Sequence, residues 1–331
     1  MGADWIVVVS DHGYADLGIE AEVLDALGRG VRLVPAQCHS AAELAVVAAE
    51  ADAVLNQYLP VDAAAINACR RCRVISRYGV GFDTVDVAAA TSAGVCVTNV
   101  PDYCVGEVSD HALALLLAAA RQVVALHTHV VAGRWEPRSG QAIRRLDGQV
   151  LGLVGFGRMA RALAAKAAPL GLRRLAHDPY VADDAMRSAG VEPVGLEALL
   201  SAADFVSLHI PLEAGTRGLI DARRLGWMKP TAWLINTARG PIVDGAALLT
   251  ALASGRLGGA ALDVWEEEPL PTDHPLRRMP RVILTPHVAW YSVESEHELR
   301  RKAAGNVVAV LRNERPSHLV NPEVWERRRR G

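Results

Sequence analysis

The sequence has few cysteines and no metal-binding cluster, and this scarcity excludes several kinds of protein. Its five cysteines, Cys38, Cys69, Cys72, Cys96 and Cys104, are scattered through the first third of the chain. Cys69 and Cys72 form a C-x-x-C pair, but no second pair completes a zinc site. We therefore expect ordinary intracellular thiols and no metal site, with a redox or metal role for this pair as the alternative.

Excess charge and long hydrophobic runs are also missing. The formal net charge is −2, which gives no electrostatic reason to expect a nucleic-acid partner. The one basic block, ERRRR at 326–330, is interpreted as a frayed, solvated tail. The most apolar stretch, HALALLLAAA at 111–120, is broken by Arg121 and is too short to cross a membrane. Because the start, MGADWIVVVS, does not resemble a signal peptide, we predict a cytoplasmic protein without a membrane partner.

Short β-rich runs alternate with alanine-rich stretches along most of the 331 residues. This alternation predicts parallel sheets with crossover helices, and the nearly continuous apolar strands indicate helices on both faces. The length suggests two domains. A long helix, predicted from about Glu107 to Val131, separates two such series, and a last helix is predicted from about Val293 to Arg312. Because the second series is complete before the chain ends, this last helix could pack on the first unit.

Two glycine loops compete as the nucleotide site. RYGVGFDTVD contains Gly79 and Gly81, whereas GLVGFGRMA contains Gly155 and Gly157. A dinucleotide fingerprint also needs an acidic residue about 20 positions later, at the end of the next strand. After the second loop that strand, RRLAHD, ends in Asp178, whereas VCVTN after the first loop ends without an acid. The second loop is therefore predicted to bind the dinucleotide, rather than to be a nucleotide-free turn.

Each residue of this second loop has a physical role. Gly155 allows the tight turn, and Gly157 lets backbone N–H groups approach a pyrophosphate at a helix N-terminus. Ala160 replaces the third glycine, which the motif tolerates, and Arg158 can add charge toward the phosphates. Asp178 would repel a 2′-phosphate, so NAD is favoured over NADP.

Three polar segments follow later strands, where ligands bind in open α/β sheets. LINTARGPIVD carries Arg239, AALDVWEEEP carries Asp263 and three glutamates, and VILTPHVAW carries His287. Alone, they are interpreted as a surface arginine, a solvated acidic turn and a core histidine. Together they supply a carboxylate anchor, an imidazole and a carboxylate to orient it. That is the minimum set for reducing a 2-keto acid with a hydride.

The motifs RYGVGFDTVD, TNVPDYCVGEVSDHALAL, GLVGFGRMA, HDPY, NTARGPIVD, ALDVWEEEP and TPHVAWYS resemble those of the D-isomer-specific 2-hydroxyacid dehydrogenase family, in the same order and over essentially the whole chain. TPHVAWYS with RYGVGFD is most similar to the branch containing the C-terminal-binding proteins, which are corepressors with a dehydrogenase fold. The resemblance implies two doubly wound parallel-sheet α/β domains. One is a flavodoxin-like substrate domain (1–103 and 291–331), and the other is an inserted Rossmann NAD-binding domain (104–290). A homodimer formed by the long helix and the loop after it is also implied.

The resemblance assigns roles to the polar residues. Arg239 would bind the substrate carboxylate and polarise the keto group. His287 would be the acid in reduction and the base in oxidation. Glu268 would hydrogen-bond His287, fix its tautomer and favour its protonated form. Asp263 would bind the nicotinamide carboxamide.

The remaining contacts are implied in the same way, with NAD as the cofactor. The predicted cofactor contacts are Gly155, Gly157, Arg158, Met159, Asp178, Ile210, Pro211, Thr216, Thr237, Ala238, Arg239, Asp263 and His287. The predicted substrate contacts are Arg77, Val80, Gly81, Arg239, Trp290 and Tyr58. Trp290 and Tyr58 would form an aromatic wall that favours a keto acid with an apolar side chain, whereas the other interpretation of Trp290 is hinge packing.

Other branches and functions fit less well. The formate dehydrogenases of the family carry glutamine in place of Glu268, and the regulatory domain usual in the phosphoglycerate branch is not in this sequence. Two alternatives stay open. One is an NADH-responsive, corepressor-like binding protein with little turnover. The other is an oxidoreductase that acts on another oxyanion, such as phosphite.

Overall fold

The computed structural model describes residues 5–28, 30–136 and 142–330. The chain divides into two compact units, residues 1–103 with 292–331 and residues 104–291. The predicted outer limits at 1 and 331, and the middle of the polar loop after the predicted long helix, lie outside the described residues. Tyr291 belongs to the second unit, one residue beyond the predicted boundary.

The first unit contains a parallel sheet in the flavodoxin-like order β2-β1-β3-β4-β5. Its strands are β1 (Trp5–Val9), β2 (Val31–Pro35), β3 (Ala53–Asn56), β4 (Val74–Arg77) and β5 (Cys96–Thr98), and its first helices are α1 (Gly18–Leu24), α2 (Ala41–Val47), α3 (Ala63–Ala68) and α4 (Val87–Ser92). Three of these helices begin after Ser40, Asp62 or Asp86, whose side chains accept hydrogen bonds from the first turn. Every residue of β3 and β4 is buried, as helices on both faces require.

The second unit contains a parallel sheet in the order β12-β11-β10-β9-β6-β7-β8. Its helices are α5 (Val105–Arg121), α6 (Val123–Val131), α7 (Arg158–Ala167), α8 (Asp183–Ser188), α9 (Leu196–Ala202), α10 (Ala222–Trp227) and α11 (Gly245–Ala253). Its strands are β6 (Val150–Val154), β7 (Arg173–His177), β8 (Glu192–Pro193), β9 (Phe205–Leu208), β10 (Trp233–Asn236), β11 (Gly259–Leu262) and β12 (Val282–Leu284). The chain reverses direction through the sheet between β6 and β9, which is where nucleotides bind in such sheets. Both predicted parallel-sheet domains are confirmed.

The prediction of one long helix from Glu107 to Val131 is wrong. Gln122 has a left-handed backbone with φ 53°, so α5 ends there and α6 starts at a bend of 60°. The sequence shows no glycine or proline at this point, and helical periodicity continues on both sides. Among the described residues, no single helix is long and apolar enough to cross a membrane, and α5 with α6 meets that criterion only as a bent pair.

The last helix, α12 (Val293–Leu311), packs on α1 and β4 of the first unit. It begins with a capping box in which Ser292 and Ser295 exchange side-chain-to-backbone hydrogen bonds. Its Arg300 donates to both carboxylate oxygens of Glu20, at 2.9 and 2.7 Å, and neither side chain is exposed by more than 6%. This ion pair joins the two ends of the chain.

The interpretation of the basic C-terminal block as a frayed tail is also wrong. Arg329 donates through its guanidinium to the carbonyl oxygens of Ala93 (2.8 Å), Cys69 (2.6 Å) and Cys72 (3.1 Å). These carbonyls follow α3 and α4, where helix ends leave acceptors without intrahelical partners. Arg328 is itself buried. The block thus satisfies carbonyl oxygens of the first unit.

The five cysteines are free and buried. Burial raises the pKa of Cys69 to about 11 and raises that of Cys72 further. Because the thiolate is the reactive and metal-binding form, these values do not favour the redox or metal alternative for the C-x-x-C pair. The described residues contain no group of three or more side chains arranged to hold a metal ion.

Replacing Arg300 with leucine should lower the free energy of unfolding by about 3–5 kcal/mol, because the buried Glu20 carboxylate loses its partner. The measurement is urea unfolding of the full chain. Arg301→Leu is the matched control, since Arg301 pairs with Glu22 at the surface and should cost at most about 1 kcal/mol. Equal losses in the two variants would contradict the prediction.

Candidate active site

The glycine loop after β6 has a backbone that only glycine allows at its first position. Gly155 has φ 89°, and an added Cβ would lie 2.7 Å from both the His209 carbonyl oxygen and Ile210 Cγ2. Its N–H donates to His177 at the end of β7. Gly157 then precedes α7, whose first N–H groups make an anion site. Arg158, the first residue of α7, is exposed.

Asp178, the acidic residue by which this loop was assigned as the nucleotide site, also holds the loop in place. Asp178 follows β7, and its Oδ2 accepts a hydrogen bond from the Phe156 N–H at 2.8 Å. Its Oδ1 accepts one from Tyr180 N–H at 2.9 Å. The carboxylate therefore lies directly beside the glycine turn, on a half-buried side chain. This is the position from which it can bind ribose hydroxyls.

The other predicted cofactor contacts lie in loops after β9 and β10, or at the start of α7. Thr216 donates to the Pro211 carbonyl oxygen at 2.6 Å, which closes the loop after β9. After β10, the Ala238 N–H donates to the Asn236 side chain. Within the described ranges, Thr237 Oγ1 is buried and has no hydrogen-bond partner. A buried hydroxyl without a partner, directly after β10, fits a nucleotide that supplies one. Ile210 contacts the glycine turn, and Met159 is half-buried in α7.

Arg239 is positioned by its own loop and by the glycine that follows it. Its carbonyl oxygen accepts a hydrogen bond from the Asn236 side chain, and its Nη1 donates to the Ala238 carbonyl oxygen at 2.7 Å. An added Cβ on Gly240 would lie 1.8 Å from the Trp265 carbonyl group. Only glycine therefore allows the Arg239 loop to pack against the segment that carries Glu268.

Glu268 and His287 form a close pair. Glu268 Oε2 lies 2.6 Å from His287 Nδ1, and Oε1 accepts a hydrogen bond from the Trp265 N–H at 2.9 Å. Burial alone would raise the pKa of Glu268. The hydrogen bond and charge of His287, the Trp265 N–H and the charge of Arg239 together lower that pKa below its usual value. Glu268 is therefore a carboxylate at neutral pH, Nδ1 carries the proton donated to it, and Nε2 is the other ring nitrogen.

Of the glutamate triplet, only its last member was predicted to pair with the histidine. Glu266 instead accepts a hydrogen bond from the Gly245 N–H, at the start of α11. This contact explains the first glutamate of the triplet.

Asp263 organises the loop that carries His287. It is fully buried at the end of β11, and its Oδ1 and Oδ2 accept hydrogen bonds from the N–H groups of Val288 (3.0 Å) and Ala289 (2.9 Å). Its carbonyl oxygen accepts the His287 N–H at 2.8 Å. His287 itself has φ 52°, in the left-handed region that residues other than glycine seldom adopt. These bonds hold that backbone in place, while a contact of Asp263 with a carboxamide stays a prediction.

Sequence reasoning missed two residues that complete this arrangement. Thr285 Oγ1 donates to Asp263 Oδ1 at 2.5 Å and lies 3.0 Å from His111 Nε2. Both residues fall inside motifs that carried the family resemblance, but neither had a role. Their contact depends on α5 packing against the sheet, which no local pattern shows.

In the first unit, Arg77 is buried and hydrogen-bonded to neighbouring loops. Its guanidinium is buried and donates to the carbonyl oxygens of Gly81 (2.9 Å) and Asn56 (3.3 Å). Arg77 thus ties together the loops after β3 and β4. The Val80 carbonyl oxygen accepts from Asn99 Nδ2 at 2.7 Å, so the carbonyl side of this turn faces protein donors. Substrate contacts by Arg77, Val80 and Gly81 stay predictions.

The two predicted wall residues are aromatic and partly exposed. Tyr58 follows β3 in the first unit and is about half exposed; its N–H and that of Leu59 donate to Asp11 Oδ2. In the second unit, Trp290 packs edge-to-face against Tyr291, with ring centroids 5.6 Å apart. Asp11, which sequence reasoning also missed, could have been found as an acid two residues after a predicted strand.

Comparisons with known proteins identify the family of the chain. The family model described as "D-isomer specific 2-hydroxyacid dehydrogenase, NAD binding domain" matches residues 113–289. The chain belongs to this family. The second unit is thus the NAD-binding domain of a 2-hydroxyacid dehydrogenase, and the chain is an oxidoreductase of this class.

Several members of the 2-hydroxyacid dehydrogenase family are close in sequence or structure. The glyoxylate reductase of Korarchaeum cryptofilum is 42% identical over 268 residues, which cover 80% of this chain and 81% of that protein. The structure of a glyoxylate reductase from Paecilomyes thermophila has a TM-score of 0.86 at 27% identity, covering 98% and 99% of the two chains. The D-lactate dehydrogenase of Aquifex aeolicus, in complex with NAD and lactic acid, has a TM-score of 0.84 at 25% identity, covering 95% and 98%. Closeness to the C-terminal-binding proteins stays a prediction.

Asp178→Asn should weaken NADH binding by roughly 10-fold or more, because a charged hydrogen bond is worth about 1.5–3 kcal/mol. Asparagine keeps an acceptor for the Phe156 N–H, and it removes the charge together with the acceptor for the Tyr180 N–H. NADPH binding should improve relative to NADH, since the repulsion of the 2′-phosphate is lost. Fluorescence titration of both cofactors measures this, with Asp183→Asn in exposed α8 as the control. An unchanged NADH-to-NADPH preference would contradict the assignment.

Proposed function

We propose that this dehydrogenase interconverts a 2-keto acid and the corresponding D-2-hydroxy acid with NAD, using His287 as the acid and base. The observation that carries the proposal is the 2.6 Å pair between Glu268 and His287. It lies in the same domain as the glycine loop and Asp178. A histidine paired with a carboxylate in a nucleotide-binding domain is what proton transfer during hydride chemistry requires. The relatives named glyoxylate reductase support the same reaction class.

The residues divide the reaction among them. Arg239 binds the substrate carboxylate through its planar guanidinium and polarises the keto oxygen. NADH, when bound in this domain, would supply the hydride for the keto carbon. His287 Nε2 donates a proton to the keto oxygen, so that the keto acid becomes the hydroxy acid. Glu268 keeps the ring oriented through Nδ1 and stabilises its positive charge before the transfer.

The pairing sets a direction for the pH dependence. The pKa of Glu268 is lower in the folded protein than in the unfolded chain. The stability that the carboxylate contributes to the fold is therefore fully present above its unfolded pKa. It is lost only as pH falls through the lowered pKa of the folded state. Glu268 is therefore charged throughout the neutral range. Reduction needs the protonated histidine, so its rate falls as pH rises.

The substrate is proposed to be a small 2-keto acid with an apolar side chain. Trp290 supports the apolar side chain, since it is a partly exposed ring three residues beyond His287. The relatives named glyoxylate reductase support small size. The corepressor and phosphite alternatives are not favoured by these observations.

A cytoplasmic homodimer is part of the proposal. Four valines of α6 are exposed, namely Val123, Val124, Val130 and Val131, and Trp135 follows them. Exposed apolar residues grouped in this way are typical of a protein–protein interface. Five buried free thiols support the cytoplasm as the compartment.

The test of function is a panel of 2-keto acids, from glyoxylate and pyruvate to phenylpyruvate, assayed with NADH and with NADPH. We expect turnover with NADH, and His287→Ala should lower kcat by about 10²–10⁴-fold because it removes the general acid. Trp290→Ala should raise KM much more for phenylpyruvate than for glyoxylate.

Three outcomes of the panel would count against the proposal. Absence of turnover on every keto acid would favour the binding protein. A His287→Ala enzyme as fast as wild type would remove the acid–base role, and equal KM changes on both substrates would remove the aromatic wall.

Glu268→Gln should lower kcat for reduction by about 10-fold or more, since a neutral amide stabilises the charged imidazole less than a carboxylate does. The decline of reduction at high pH should begin at a lower pH than in wild type. A kcat–pH profile from pH 5 to pH 10 measures both effects, with Glu267→Gln as the control in the same turn. A profile that does not move would argue against the pairing.

A further inference from the structure

We infer that His111 is a positioning residue for the catalytic histidine and acts on it through Thr285 and Asp263. This inference rests on the proposed function of His287. It begins with a contact across the second unit. His111 lies on α5, and its Nε2 is 3.0 Å from Thr285 Oγ1 and 3.6 Å from Asp263 Oδ1. These three side chains form a continuous polar path that ends at the loop of His287.

The direction of the hydrogen bonds follows from the number of protons. Thr285 has one hydroxyl proton, and it is donated to Asp263 Oδ1 at 2.5 Å. The Thr285 oxygen can then only accept, so His111 must donate its Nε2–H to it. The path therefore runs from the imidazole to the hydroxyl to the carboxylate, and it fixes which ring nitrogen of His111 carries a proton.

Asp263 needs these donors because its carboxylate has no access to solvent. A buried charge is costly unless its oxygens are hydrogen-bonded. Two of its donors are the N–H groups of Val288 and Ala289, which directly follow His287. The third is Thr285, which precedes it by two residues. The Asp263 carboxylate thus binds the loop both before and after His287, and its orientation determines where the His287 ring lies.

The backbone of His287 makes these contacts necessary. A left-handed conformation is unfavourable for a residue other than glycine, and it persists only where the surroundings hold it. Removing His111 leaves Thr285 without the donor that fixes the orientation of its hydroxyl. Asp263 can then turn, and the loop can relax toward an ordinary backbone. In this proposal His111 contacts neither the His287 Nε2 nor the substrate keto group. It therefore affects the reaction only through the position of the His287 ring.

The test compares two pairs of variants. Thr285→Val and His111→Leu remove the path, whereas Thr285→Ser and His111→Gln keep a hydroxyl and an N–H donor at similar reach. We expect a fall in kcat of about 10-fold or more for the first pair, since small displacements of a catalytic group are costly. The second pair should recover most of it. Thr250→Val and His297→Leu are controls at exposed positions.

A second measurement separates positioning from a loss of folding and from a failure of the proposed function. The ring-nitrogen chemical shifts of His287, assigned by their loss in His287→Ala, report its pairing with Glu268 without any turnover. They should change in Thr285→Val and His111→Leu and stay as in wild type in Thr285→Ser. The inference would be overturned if Thr285→Val and His111→Leu kept the wild-type shifts and kcat. It would also be overturned if Thr285→Ser and His111→Gln lost as much kcat as the first pair. Wild-type enzyme without turnover, but with shifts that respond in this way, would overturn the proposed function alone.

Discussion

Burial of the Asp263 carboxylate is the constraint on which the rest of the site in the NAD-binding domain depends. A charge without access to water must be surrounded by donors, and here the donors are the backbone on the far side of His287 and the hydroxyl before it. The same residue directly follows β11, which lies between β10 and β12 in the parallel sheet. A rigid strand therefore determines the conformation of a loop, and the loop can hold a histidine in a backbone conformation that it would not adopt alone.

Neighbouring strands supply the other parts of the site in the same way. Glycines at 155 and 240 bring two loops closer to neighbouring backbone than any Cβ would allow. One approach creates the turn for the cofactor, and the other packs the Arg239 loop against the segment of Glu268. Among the described residues, the buried Thr237 hydroxyl has no hydrogen-bond partner, which leaves it for a bound nucleotide. The positions at which the strands end thus determine where the site lies, and the side chains of the following loops supply its chemistry.

Much of this was predictable because it depends on local pattern. Apolar runs that alternate with helical stretches predicted parallel sheets. Asp178, an acid at the end of the next strand, distinguished the Gly155 loop from the Gly79 loop. The pairing of Glu268 rather than Glu266 came only from the family resemblance. The break at Gln122 could not be predicted, since its left-handed backbone has no glycine to mark it. The roles of Arg329, Arg77 and His111 also remained hidden. Each acts on carbonyl or hydroxyl groups that are distant in sequence, and charge alone does not show which acceptors a side chain will meet.

The ion pair between Glu20 and Arg300 has a consequence for how the protein is made. The two residues are 280 positions apart in sequence, with the entire NAD-binding unit encoded between them. A ribosome therefore completes the cofactor domain before it supplies the helix that neutralises Glu20. Until then the first unit lacks α12, and its β4 face and the Glu20 carboxylate must stay in contact with water or a chaperone. The order of synthesis makes the first unit, whose synthesis starts first, the last to be completed.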